Sequence, residues 1–464
     1  MIKKNIRHEL RILSRDHWFV ALSLILILLC LYAGHNGQKL YEFKNSELEQ
    51  TKAAQDSLID LAKDVAIAMD NGEDPKEYYR ISPMYLSIAT GTLAYMPMNQ
   101  LSALAIGQSD LYTHQLEINS RSDTATLTFN EMSNPVQLLF GNFDLVFVLT
   151  YLIPLIIIAF TYNLHSQERE SGRLKLLASN PVNTKMWLFQ RYLIRFLVLS
   201  AILSVAVVIT ITLNGIPFST EMIMMSLITF AYMGFWFSTS FAVNVFGKSS
   251  DKNAVVLLST WIILVLLIPS IVNQTANSIY PTPSRMILLN EVRQTKAELS
   301  KELDKVIDEY LRNHPELARE EENEFAYWQG YFASHEMTEK ELSPLLELFD
   351  SQLNEQQQWV KAWGFLSPAI LFKSSFTSLA GTSSANYVGF KASVVEFARE
   401  WRDYFMPMVF ENRNLTPDEV KNLPDYSFKS TLDLNKVRIN IAALSFSFLL
   451  LIGIGFTWKQ NDIT

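Results

Sequence analysis

One cysteine, Cys30, stands in 464 residues, so no internal disulfide can form and any part outside a membrane must be stable without one. That suits a bacterial outer compartment. Cys30 falls inside an apolar run, where a small buried thiol is the ordinary reading. Histidine is scarce too: seven residues, none paired at metal-ligand spacing, with no HExxH. Gly-x-Ser-x-Gly is absent. Gly247-Lys248-Ser249 resembles the end of a phosphate-binding loop. That loop needs a glycine five residues before the Gly-Lys pair, and position 242 is Ala, preceded by an apolar run rather than a strand. A turn with a basic anchor is the better reading. His314, His335-Glu336 and the run Glu320–Glu321–Glu322 lie in charged helical contexts, where solvated surface is the default. The expectation is a chain with no catalytic residues, cofactor site or metal site of its own, and with no nucleic-acid partner.

Charge is nearly missing from six further stretches. A helix crossing hydrocarbon needs ~20 mostly apolar residues at ~1.5 Å each. Spans are predicted at 17–34, 143–162, 187–213, 222–245, 253–272 and 437–458. A hydrophobic content of 49% and mean hydropathy of +0.11 would suit a soluble core, but the apolar residues come in membrane-length blocks. The first block is too long for a signal peptide, and YAGHNGQK after it is a poor cleavage site, so it reads as a retained span. The ionisable groups near the spans (Asp144, Arg191, Arg195, Arg438) sit at their ends, where they can snorkel. Without charge at mid-membrane, a proton- or ion-coupled transporter is a poor fit.

The net charge of −8 is unevenly placed. Lys3, Lys4, Arg7, Arg11 and Arg15 precede the first span; Arg169, Arg173, Lys175 and Lys185 lie in the 163–186 loop. Lys248 and Lys252 lie in 246–252 and Lys459 in the tail, whereas 214–221 holds only Glu221. By the positive-inside rule both termini are cytoplasmic, and 35–142, 214–221 and 273–436 are extracytoplasmic. The expected location is a bacterial inner membrane, crossed six times.

In 1–16, Ile2, Ile6, Leu10 and Leu13 recur at i, i+4, i+8 and i+11 among basic residues. This is an amphipathic helix along the membrane lipid, or simply a basic flank. The first outer segment, 35–142, opens with a helical stripe Leu58, Leu61, Val65, Ala68 ended by Asn71-Gly72. It then alternates at Leu116, Ile118 and Leu127, Phe129 as a short hairpin. That segment is mixed α/β or mostly helical. The second, 273–436, is mostly helical. Val292, Leu299, Leu303, Val306 and Tyr310 mark one helix stopped at His314-Pro315, and another covers 337–361, as an antiparallel hairpin rising from the fifth span. The fold class is therefore all-α and polytopic, with six transmembrane helices and two extracytoplasmic domains.

Pro154 and Pro269 lie inside spans and are expected to bend them. Ser226, Thr229, Gly234, Ser238, Thr239, Ser240, Ser259 and Thr260 favour close helix packing over a lining for an amphipathic substrate. Between the second and third spans stands ERESGRLKLLASNPV, 168–182. Leu174, Leu177 and Ala178 fall at i, i+3, i+4 on one narrow face, Pro181 bounds the helix, and Gly172 permits close backbone approach. The result is a short capped knob suited to a groove in a partner.

This stretch resembles the coupling-helix segment of ABC-2 type exporter permeases. Glu168, Glu170, Gly172, Leu174, Leu177, Pro181 and Val182 carry the likeness. Six spans, cytoplasmic termini and a basic amphipathic first helix agree with it. Leu-Ser-Pro-Ala at 366–369, Leu-Ala-Gly-Thr at 379–382 and Glu-Trp-Arg at 400–402 look like a branch with a large outer insertion before the last span, of uncharacterised substrate. The resemblance implies a permease subunit driven by a separate cytoplasmic ABC ATPase dimer, which would hold the ATP and Mg. It also implies a second permease chain, identical or a related paralogue, and allows a periplasmic or surface partner. Glu168, Arg169, Glu170, Gly172, Arg173, Leu174, Leu177 and Pro181 would then contact the ATPase. The alternative is an ATPase-coupled complex that transports nothing and senses or remodels the cell envelope.

Overall fold

The computed structural model describes residues 2–107, 109, 112–121, 142–174, 183–247, 249–315, 326–430 and 432–457. Most of them are helical, and six helices are long and apolar enough to cross a membrane. The chain is an all-α, multi-pass membrane protein. Six crossings place both termini on one side of the bundle, the terminal side; the lobe between spans lies on the other.

Helix α1 (Ile2–Arg15) meets α2 (His17–Asp70) at Asp16, whose carboxylate accepts from the Trp18 amide at 3.0 Å and caps α2. Sequence reading ended the first span at residue 34 and began a separate helix beyond it. The structure corrects this: α2 is one helix of 54 residues, ~81 Å long at ~1.5 Å per residue. Nothing in 35–50 breaks it. Gly34 and Gly37 serve close packing instead: a Cβ on Gly34 would meet Thr210 Cγ2 at 2.0 Å, and one on Gly37 the Ala103 carbonyl oxygen at 1.8 Å. Asn71 and Gly72 end the helix as expected.

A two-stranded antiparallel sheet follows, β1 (Thr92–Tyr95) against β2 (Gln115–Ile118), with Thr92 opposite Ile118. The expected strand at Leu116 and Ile118 is present, but its partner is β1; Leu127 and Phe129 lie outside the described residues. The second span, α3 (145–161), leads to the short α4 (Ser166–Glu170). Then come α5 (Thr184–Leu213), α6 (Thr220–Phe246) and α7 (Ser250–Ile279). The lobe continues through α8 (Arg285–Leu299), α9 (Leu303–Asn313), α10 (Ala326–Trp363), α11 (Pro368–Leu379), α12 (Ser384–Glu411) and α13 (Pro417–Lys421), and α14 (Leu434–Thr457) is the last span. The expected helical hairpin is there, but its first arm, expected as one helix, is divided at Ser300–Glu302 into α8 and α9: α10 runs back along both and along the outer part of α7.

Both span prolines follow a π-helical turn, Val148–Leu152 before Pro154 and Ile262–Leu267 before Pro269. A proline has no N–H to give the carbonyl one turn back. The Thr150 carbonyl is met instead by Tyr232 Oη at 2.8 Å, and the Leu264 carbonyl by Ser367 Oγ at 2.6 Å.

Ser367 is the N-cap of α11, which sequence reading placed in the outer segment. In fact α11 packs among the spans. Phe372 stacks on Tyr232 with centroids 4.6 Å apart, and Asn440 of α14 donates to Ser375 Oγ at 2.8 Å. Counting ~1.5 Å per residue from the Asn244–Asn253 contact, Tyr232 and Leu264 lie ~17–18 Å toward the lobe. Hydrocarbon is ~30 Å thick, so α11 starts near mid-bundle and rises outward as a half-span. At its foot Trp363 and Phe365 are exposed and stack on each other, with the Trp359 ring tilted against Trp363.

The two outer segments share one main core rather than each holding its own. Ala62 and Ala66 of α2, with Leu86, Ala94 and Ile118, pack on Phe390, Phe397, Trp401 and Phe405 of α12. The stripe expected on α2 is shifted: Leu61 is exposed, and the buried pair is Ala62 and Ala66, small enough for the helix to lie close on bulky rings. A smaller core joins Val306 and Tyr310 of α9 to Phe332, Met337 and Phe410.

Two measurements test this packing. Gly37→Ala forces a methyl into backbone, which no rotamer change relieves, and is expected to cost ~1–3 kcal/mol. Gly453→Ala, with nothing within 4 Å, is expected to be neutral or to stabilise by up to ~1 kcal/mol; detergent unfolding curves compare them. In the lobe, burial together with Lys296 and Arg402 pushes His335 down to about 3. A histidine lowered in the folded state gives stability that is complete above its unfolded value near 6.5 and is lost as pH falls toward 3. Between pH ~6.5 and ~5 this loss is about 2 kcal/mol. Asp403, raised by burial, acts in the opposite sense, so the comparison is with His335→Gln, which is expected to flatten the lobe's unfolding profile over that window.

Candidate functional site

The knob leaves the second span as one short helical turn, α4, capped by Ser171. Gly172 follows with φ +71°, the left-handed region that glycine enters freely. A Cβ there would meet nothing within 4 Å. Among the described residues this glycine therefore serves backbone conformation. Glu168, Arg169, Glu170, Gly172, Arg173 and Leu174 lie together here, Leu174 buried and Glu170, Gly172 and Arg173 exposed. Leu177 and Pro181 fall outside the described residues.

The knob is wired on two sides. On one side Glu168 pairs with Arg191 of α5 at 3.1 Å and with Arg173 at 3.0 Å. Arg191 Nε also donates to Glu9 of α1 at 2.9 Å, Arg195 Nε donates to the other Glu9 oxygen at 2.8 Å, and Arg195 reaches the Phe160 carbonyl as well. Glu9 is 2% exposed. Burial alone would raise its carboxyl, yet Arg191 and Arg195 together hold it below the usual carboxylate range. The Trp187 ring lies 5.0 Å from the Arg191 guanidinium and covers the hub.

On the other side Glu170 accepts from the Ser250 amide at 2.8 Å and its hydroxyl at 2.9 Å, capping the start of α7. Behind it lies a buried polar chain. His165 Nδ1 meets the Asn244 carbonyl at 3.0 Å, Asn244 Nδ2 donates to the Thr161 carbonyl at 3.0 Å, and Asn253 Nδ2 reaches the Tyr162 carbonyl at 3.2 Å. Tyr192 Oη and Ser240 Oγ close it against Thr161. Gly247, in the turn expected there, makes room for Asn253, whose Oδ1 would lie 1.7 Å from a Cβ. The knob is thus bonded directly to α5 and α7, and through Arg191 and the His165–Asn244 chain it is linked to α1 and α6.

Sequence reasoning missed Glu9, His165, Asn244 and Asn253. Glu9 had a signal: it is the one acidic residue in a basic helix. No spacing rule exposes the asparagines. Among the described residues no group of three or more His, Cys, Asp or Glu could hold a metal ion.

Residues 285–429 match a family described as a domain of unknown function, DUF3526. The match takes in α8 to α13, including the half-span α11, and not the knob. No curated protein and no solved structure matches the chain.

Glu9→Ala would take the shared carboxylate from two buried guanidiniums, leaving Arg191 with Glu168 and Arg195 with a backbone carbonyl, an expected loss of ~3 kcal/mol. Glu168→Ala, at a more exposed position, is expected to cost ~1 kcal/mol. Chemical unfolding in detergent orders the two, and the reverse order would contradict the hub.

Proposed function

We propose that this chain is the membrane permease subunit of an ABC exporter-type complex. A separate cytoplasmic ATPase dimer, carrying ATP and Mg, drives it through the knob at 168–182. The reading rests on the resemblance of that stretch to ABC-2 coupling helices. The observation that supports it is mechanical: Glu168 and Glu170 tie the knob to α5 and to the first residue of α7. A push on the knob is therefore delivered to several spans at once. Glu168 and Glu170 act as struts to α5 and α7, while Arg173 and the apolar Leu177 belong to the contact with the ATPase. A second permease chain, identical or a paralogue, completes the assembly in a bacterial inner membrane with both termini cytoplasmic.

A second reading, an ATPase-driven complex that remodels or senses the envelope without transport, is favoured by α2, which runs unbroken from the membrane into the lobe core. Under either reading the ATPase co-purifies with the wild-type chain. Leu177→Asp is expected to lower its retention at least ~10-fold, about 1.4 kcal/mol. Capture of the ATPase by the variant at wild-type level removes the knob from the interface. ATP-dependent movement of a substrate into sealed inverted vesicles then separates export from remodelling.

A further inference from the structure

Among the described side chains of α1, residues 6–15, only Glu9 and Leu13 are buried. They are four apart, on one face, and both meet the bundle. All the remaining charge is exposed and positive: Arg7, Arg11 and Arg15. Ile6 and Leu10 are exposed beside the docked face, 39% and 43%, and Trp18 at the turn into α2 is 79% exposed. A helix joined to a span by a single residue lies at the membrane surface. Its apolar flank and cationic face complement a bilayer rich in anionic headgroups. The one acid of α1 is turned away from that surface and spent on Arg191 and Arg195.

We infer that α1 is a docking surface for anionic phospholipid, and that lipid charge acts on the knob through Glu9, Arg191 and Glu168. Headgroups hold α1 flat. A flat α1 keeps Glu9 on Arg191, and Arg191, so held, keeps its other nitrogen on Glu168. In a neutral membrane α1 is free to lift, and Glu168 loses its tie to α5 along with it, keeping only Arg173 of the knob itself. The inference rests on the proposed role of the knob and on a cytoplasmic terminal side. It concerns regulation of that site and does not need the ATPase to be tested.

The full chain is placed in nanodiscs of phosphatidylcholine alone or mixed with phosphatidylglycerol, and amide hydrogen exchange is followed in α1 and in 166–174. The wild type is expected to exchange several-fold more slowly in both segments when phosphatidylglycerol is present. Salt at about 1 M, with a screening length of ~3 Å, removes the difference. Each arginine near such a surface contributes ~5-fold to partitioning, and three together ~100-fold. The triple substitution Arg7→Gln, Arg11→Gln, Arg15→Gln, all at exposed positions, is expected to abolish both lipid effects. Glu9→Gln is expected to keep the lipid effect on α1 and lose it at 166–174. Equal exchange of 166–174 in the two membranes for the wild type overturns the inference. So does a lipid effect there that survives either set of substitutions. Failure here leaves ATPase capture by the knob untouched, and failure of that capture leaves this result standing.

Discussion

A carbonyl inside hydrocarbon has no water to turn to, and that constraint organises the middle of this molecule. Pro154 and Pro269 each leave the turn behind them short of a donor. Tyr232 supplies one and Ser367 the other. The second donor comes from outside the six spans, so satisfying α7 brings part of the lobe sequence down among them. Once Ser367 is there, Pro368 starts a helix without needing an amide partner. Phe372 finds Tyr232, and Ser375 finds Asn440. The half-span thus follows from two hydroxyls answering two prolines.

At the terminal side the governing term is charge rather than backbone. Two arginines near the end of α5 can snorkel to water, yet they are held inward by Glu9. A lone buried carboxylate would be costly; between two guanidiniums it is held ionised, and it fixes both. Glu168 then completes the circuit to the knob. The terminal side of the bundle is therefore tied together as one piece, whereas the outer faces of α7 and α14 present mainly apolar side chains.

The sequence made the spans legible because hydrocarbon imposes length and composition at once. It also showed the end of α2 at Asn71-Gly72 and the stop at His314, where cap chemistry is local. It did not show that α2 is continuous, since polar residues from 39 onward mimic a new element although no breaker intervenes. It did not show α11, whose 12 residues are too few for a span and carry Lys373. Nor did it show the shared core: Ala62 and Ala66 look unremarkable until the rings of α12 lie on them. In the candidate site Glu168 and Glu170 stood out by resemblance. Arg191, the partner of Glu168, is itself held by Glu9, 182 residues away, and no short pattern links such positions.

The continuity of α2 has a consequence of scale. Its foot stands beside the hub that holds Glu9, and its far end lies in the core with α12. A rigid rod ~81 Å long moves its tip ~1.4 Å for each degree of tilt at the base. Helix shifts of a few degrees, too small to break one hydrogen bond at the terminal side, become displacements of several ångströms at the tip. The first span is thus a lever as well as an anchor, with its short arm in the membrane and its long arm in the lobe.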